Sequence, residues 1–142
     1  MIIGKELFKY QNKVNVIGLT QELDVFYVLN YFKENNDNVL IVTSSIYDAN
    51  SFYEKLLTYS ENVLFFPMDD FITSVAVAMS PEFKIKRLEA LEKIKTNDKF
   101  IVVTNLMGFL RFLPDKNKAD KLHINLKRSS SINREKLISI FE

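Results

Sequence analysis

Apolar positions along the chain come in short unbroken runs, separated by stretches with a helical period. Residues 14–18 (VNVIG) read as a buried strand. Thr20 stands where it can cap the following helix, and Val25, Val28, Leu29 and Phe32 fall at i, i+3, i+4, i+7 on one face of it. An Asn-rich turn at 35–38 (NNDN) leads into 39–43 (VLIVT), a near-continuous apolar run typical of a strand covered on both faces. Ser45 with Asp48 fits a capping box, and Ala49, Phe52, Tyr53 and Leu56 form the next helical stripe. Residues 63–66 (VLFF) predict a third strand stopped by Pro67. Residues 67–80 show no clean period and read as a loop with a short helix. Ser80 and Pro81 then offer a capping oxygen and a proline at the first helical position. Ile85, Leu88, Leu91 and Ile94 carry that helix to about residue 96. Residues 100–103 (FIVV) predict a fourth strand, and Asn105 begins a short helix ended by Pro114.

Apolar strands alternating with amphipathic helices imply an α/β fold, a parallel sheet with helices on both faces. The composition changes after residue 115, where DKNKADK is polar and basic and reads as a linker. Two regions are therefore expected, 1–115 and 116–142. In the second, 122–128 (LHINLKR) alternates like an exposed or edge strand, and Ser131 or Asn133 can cap a last helix that stops at Glu142. A helix cut short in this way is expected of a fragment of something longer.

The 142 residues suffice for one sizeable core. A net charge of +1 singles out neither nucleic acid nor membrane as a partner. The chain has no cysteine, which excludes disulfides, thiolate metal sites and cysteine nucleophiles and fits a reducing compartment. The first residues, MIIGKELFKYQNK, interrupt their apolar stretch with charges and fit neither a signal peptide nor a membrane span. A cytoplasmic location is expected.

The first strand, Gly18 and the helix after it share the frame of a phosphate-binding loop, G-x-x-x-x-G-K-[ST]. Gly18 holds the first glycine position, followed by Leu19 and Thr20. The second glycine is replaced by Leu23, the lysine by Asp24, and the magnesium-binding hydroxyl by Val25. Each change removes a contact, and Asp24 adds negative charge where phosphates would sit. Two unit charges about 4 Å apart repel by ~4 kcal/mol at an effective dielectric near 20. The bland role for Asp24 is to favour the helix dipole, at about 0.3–1 kcal/mol. The loop is expected to bind no nucleotide and to act as a helix start alone.

A more specific signal lies in residues 63–91: Phe66-Pro67, then Asp69-Asp70-Phe71, then Ser80-Pro81-Glu82, then Arg87-Leu88-Glu89. Upstream stand Gly18-Leu19-Thr20, Val42-Thr43 and Tyr47-Asp48-Ala49; downstream stands Val102-Val103-Thr104. In this order the motifs resemble the N-terminal region of the bacterial transcription-repair coupling factors, over nearly the whole chain. The resemblance implies a helicase-like (P-loop NTPase-like) α/β domain similar to the first domain of UvrB, with a second small domain inserted in it. It implies that this module has lost ATPase capacity and needs no cofactor, while a motor that translocates on DNA lies in downstream domains. The implied partners are UvrA, through the inserted domain that begins at about residues 120–142, the rest of the full-length factor, and RNA polymerase and DNA through downstream domains. No UvrA-contacting residue is carried over, because those positions lie past Glu142. UvrB clamps DNA with a long β-hairpin after its third strand. The segment PMDDFITSVAVAM is too short for one.

Other readings attach to single residues. Asp69 and Asp70 form an acidic pair of the kind that binds magnesium, but Pro67 and Met68 separate them from the strand; the plainer role is to satisfy backbone amides at a turn and a helix start. A phosphoacceptor role would require further acids where residues 18–20 are Gly-Leu-Thr. His123 is the only histidine and reads as a strand surface residue without metal or triad partners. Lys116, Lys118, Lys121, Lys127 and Arg128 read as a solvated linker, with phosphate contact as the rival. Lys84, Lys86 and Arg87 alternate with Glu82, Glu89 and Glu92 as a mixed charged surface, and Tyr10, Phe71 and Phe112 are candidates for docking surfaces. Two other functions stay open: a subunit of an ATP-dependent helicase or excision-repair enzyme with an atypical nucleotide site, and an independent small α/β binding protein.

Overall fold

The computed structural model describes residues 13, 15–70, 80–113, 115, 133–135 and 138. By contacts the chain divides into two compact units, Met1–Leu110 and Arg111–Glu142. In the first, the order is α1 (Gln21–Glu34), β1 (Val39–Thr43), α2 (Ile46–Leu57), β2 (Val63–Phe66), α3 (Pro81–Thr96), β3 (Ile101–Asn105) and α4 (Leu106–Phe109).

The three strands form a parallel sheet in the order β1-β3-β2. Val39 and Val63 both lie level with Ile101 on β3, so odd-numbered side chains share one face and even-numbered ones the other. The odd face holds Val63, Phe65, Ile101 and Val103, packed against Val25, Leu29 and Phe32 of α1 and Ala49 and Leu56 of α2. Each such fully buried aliphatic side chain contributes about 1.5–3 kcal/mol. The even face holds Leu64 and Phe66 under Ala90 of α3, with Leu91, Ile94, Phe100 and Val102 alongside. The chain passes over β3 from β1 to β2, then reverses from β2 to β3. Crossovers of one hand that reverse direction place their helices on opposite faces, as α2 and α3 are.

The expected architecture is present, but several elements differ. Residues 15–17 form no strand, and Val16 and Ile17 are exposed. β1 stands at an edge of the sheet among the described residues and is not covered on both faces: Leu40 is 54% and Val42 41% exposed. α3 turns Arg87 and Ala90 inward and leaves Ile85 and Leu88 outside. Ala90 lets the helix approach the sheet closely, and Arg87 bonds to a backbone carbonyl, so neither contact follows an aliphatic stripe. Neither Thr20 nor Ser80 makes a side-chain cap; the Ser80 N–H instead donates to Asp69 Oδ2 at 3.1 Å. The last strand runs two residues further than expected, to Asn105, and α4 ends at Phe109, well before Pro114. In the second unit Asn133 Oδ1 accepts from the Glu135 N–H at 2.9 Å, in the manner of a helix cap. The expectations for residues 71–79, the linker at 116–121, the strand at 122–128, His123, Tyr10 and Phe71 lie outside the described residues.

Candidate functional site

In a parallel α/β sheet, loops and helix N-termini gather at the carboxyl ends of the strands. Here that edge is held by a connected polar network centred on Asn105, which is 0% exposed. Its amide Nδ2 donates to Met68 O at 2.7 Å and to Asp70 Oδ1 at 2.6 Å. Its Oδ1 accepts from the Met68 N–H at 3.1 Å and the Gly108 N–H at 3.3 Å. The loop after β2 and the start of α4 are thereby tied to one side chain at the end of β3. Beside it the Thr104 hydroxyl donates to Phe66 O at 2.6 Å, and the Arg87 guanidinium donates to Pro67 O at 2.8 Å. Gly108 is sterically required: a Cβ there would strike Thr104 Oγ1 and stand 2.9 Å from Phe66 O.

The acidic pair is used at helix starts. Asp70 accepts from the Ile46 N–H at 2.9 and 3.1 Å, capping α2 from 24 residues away, while Asp69 holds the Ser80 N–H at the start of α3. An anion at a helix N-terminus satisfies a free donor and meets the positive end of the dipole. Ser45 Oγ accepts from the Asp48 N–H at 3.1 Å, and the Asp48 carboxylate accepts from the Ser45 and Ser44 hydroxyls at 2.7 and 3.1 Å. The box expected of Ser45 and Asp48 forms only in half: Ser45 Oγ caps the Asp48 N–H, while the Asp48 carboxylate takes the two serine hydroxyls rather than the Ser45 N–H.

The residues of the loop frame are dispersed by the structure. Gly18 has φ +80°, a conformation that favours glycine. Leu19 and Thr20 follow it to the start of α1, where the Asp24 N–H donates to Thr20 O at 3.0 Å. Leu23 is 43% exposed on the first turn of α1, whereas Val25 is 2% exposed in the odd-face core. Asp24 lines a hollow of about 230 Å³ with Thr43, Tyr47, Asp48, Ser51, Phe52 and Lys55. Lys55, its one cation, lies 3.6 Å from Glu22 Oε1. The lining acids Asp24 and Asp48 outnumber it, which disfavours an anion in the hollow. Its chemistry suits a cation or a hydroxyl donor better.

Arg87 does not belong to the mixed charged surface: it is 8% exposed. Lys86 lies over the Phe65 ring at 5.3 Å, and Tyr53 stacks on the same residue at 4.8 Å. Burial, and then the Glu54 and Glu89 carboxylates, push the Tyr53 phenol above its ordinary value of 10.0. Phe112 is 97% exposed. Among the described residues no group of three or more His, Asp or Glu side chains is arranged to hold a metal ion, and no helix is long and apolar enough to cross a membrane. The central roles of Asn105, Gly108 and Arg87 escaped sequence reasoning. The one local sign was an asparagine at a strand end, three residues before a glycine.

Sheet, crossovers and flanking helices together define an α/β domain with a parallel sheet, consistent with a helicase-like fold. The curated relatives that the chain matches are transcription-repair-coupling factors. It is 28% identical over 83 residues to that of Bacillus subtilis, covering 57% of this chain and 7% of the relative. To that of Staphylococcus epidermidis it is 24% identical over 110 residues, 76% of this chain and 9% of the relative. To that of Staphylococcus aureus it is 23% identical over 100 residues, 69% and 9%. The chain is thus a distant homologue of a small part of the transcription-repair-coupling factors, and spans less than a tenth of their length. No family model and no solved structure matches it.

Proposed function

We propose that this chain is a non-catalytic, helicase-like module of a transcription-repair coupling system, serving as an interaction and regulatory platform with a vestigial nucleotide loop. In that reading a longer protein displaces stalled RNA polymerase and recruits UvrA to the lesion, through a second domain that begins near residue 120. The observation that carries it is the fate of the three substituted positions. Val25 supports the reading most, because its side chain fills the core and cannot be exchanged for a metal-binding hydroxyl without loss. Asp24 adds negative charge to the adjoining hollow, and Asp70 serves α2 and Asn105. The segment between Phe66 and Ser80 is too short for UvrB's long hairpin, which favours the coupling factor over UvrB.

The test is calorimetry of the purified chain with ATP and magnesium at millimolar nucleotide. No heat of binding is expected. Stoichiometric binding would overturn the reading and restore the alternative of an ATP-dependent helicase or excision-repair subunit with an unusual nucleotide site. A pull-down with UvrA addresses recruitment separately.

A further inference from the structure

α1 and α2 pack against the same face of the sheet, and a groove runs along α2 beside α1. Asp48, Phe52, Lys55 and Tyr59 follow one another at helical spacing, so they share one side of α2 and of the turn after it. The Tyr59 N–H donates to Leu56 O at 3.0 Å, which carries the helical course past Leu57. Two hollows open along this side. The first, of about 230 Å³, is bounded by Asp24, Tyr47, Asp48 and Phe52. The second, of about 380 Å³, is bounded by Val25, Phe26, Glu54 and Tyr59. Lys55 lines both, so they adjoin, and its ammonium lies 3.6 Å from Glu22 Oε1. The Phe26 and Tyr59 rings meet at 5.0 Å and form an apolar wall in the second hollow. Tyr47 is 80% and Tyr59 55% exposed, so both hollows face solvent. Among the described lining residues, the carboxylates of Glu22, Asp24, Asp48 and Glu54 stand against the cation of Lys55 alone.

We propose that this groove receives an extended basic segment of a partner protein, with an arginine or lysine in the first hollow and an apolar side chain in the second. Charge selects the partner. The excess of carboxylates repels nucleic acid and anionic membrane surfaces alike and attracts a cationic chain. Each hollow then selects a side chain. Tyr47 and Phe52 offer aromatic surface and Asp24 and Asp48 offer acceptors, which suits a guanidinium or ammonium group. Val25, Phe26 and Tyr59 offer apolar surface, which suits a large apolar anchor. Along α2 the hollows are centred roughly 10 Å apart, at ~1.5 Å per residue. An extended chain covers that distance in about three residues at ~3.3 Å each. The segment is therefore of the form basic-x-x-apolar. A free cation would leave the apolar hollow unfilled, and a purely apolar segment would leave the carboxylates without a counter-charge. The groove lies wholly within the first unit, and the proposal stands whichever longer protein the chain serves.

The chain has no tryptophan, so a tryptophan in a probe peptide reports its own burial. The probe is acetyl-Gly-Ser-Arg-Ser-Gly-Trp-Ser-Gly-amide, titrated with the purified chain at low salt. Its emission is expected to shift to the blue and to saturate at submillimolar chain. The same peptide with glutamate in place of arginine is expected to bind about tenfold more weakly, and added salt to narrow the difference. Asp24→Lys is expected to abolish the preference for arginine with an unchanged far-ultraviolet spectrum. Tyr59→Ala, which removes one ring of the apolar wall, is expected to weaken both peptides and keep the preference. The absence of a saturable shift would overturn the proposal. So would equal binding of the two peptides by the wild type, or an Asp24→Lys variant that still prefers arginine. Displacement of the probe by equimolar magnesium or spermidine would mark a simple cation site and equally overturn it.

Discussion

Asn105 is a small amide that fixes the relative position of three chain segments. Its partners are two backbone groups of Met68, the Gly108 N–H and the Asp70 carboxylate. Asn105→Ala removes all of these while leaving the groups near them buried. A buried donor or acceptor without a partner costs about 1–3 kcal/mol, so the variant is expected to lose roughly 2–4 kcal/mol, read as a lower urea midpoint with an unchanged slope. Gly108→Ala is expected to cost about 1–3 kcal/mol by overpacking against Thr104 and Phe66, in the same assay. Only part of this was legible beforehand. A turn-and-helix role for Asp69 and Asp70 follows from local chemistry, and both carboxylates do accept backbone amides at helix starts. That Asp70 reaches back to Ile46, and Asn105 to Met68, depends on contacts 24 and 37 residues apart in sequence, which no local pattern encodes.

At the scale of elements, the apolar runs located all three strands of the sheet, because a parallel strand must be apolar on both sides to be interior. The same rule misled at β1, whose composition is that of an interior strand but whose position is at the edge. It misled at 15–17 as well, since an apolar run makes a strand only where a neighbour supplies hydrogen bonds. In α3 the four-residue stripe found the helix and half of its inward face: Leu91 and Ile94 pack beside Ala90, whereas Ile85 and Leu88 stay outside and Arg87 and Ala90 turn inward through a hydrogen bond and close approach. The contact of α2 with β2 gives a pH signature. Tyr53 stacks on Phe65, and its pKa is raised by burial, then by Glu54 and Glu89. A raised pKa means that folding favours the neutral phenol. The associated stability is complete below the unfolded value near 10.0 and is lost as pH climbs through the folded value. Wild type is therefore expected to lose stability above pH ~10 more steeply than Tyr53→Phe, measured as thermal midpoint against pH.

For the whole molecule, the proposed lack of nucleotide binding has two separable origins: three side chains, or the architecture that would display them. A phosphate loop needs a strand held in the sheet, a glycine-rich turn and a helix start whose amides and side chains converge on one anion. Here residues 15–17 are outside the sheet, Val25 points into the core, and Leu23 and Asp24 lie within a regular helical turn. Restoring the missing residues as Leu23→Gly, Asp24→Lys and Val25→Thr is therefore expected to yield no ATP binding by calorimetry. It should instead destabilise the fold. Glycine inside a helix costs about 1 kcal/mol, and burying the threonine hydroxyl adds about 1–3 kcal/mol. Loss of Asp24 from the first turn removes a further ~0.3–1 kcal/mol of dipole interaction. A combined loss of several kcal/mol without gain of binding would mean that the helix has been committed to packing and the loop could not be revived in place. Gain of magnesium-dependent ATP binding by the triple variant would show instead that the frame is intact and only its side chains were given up.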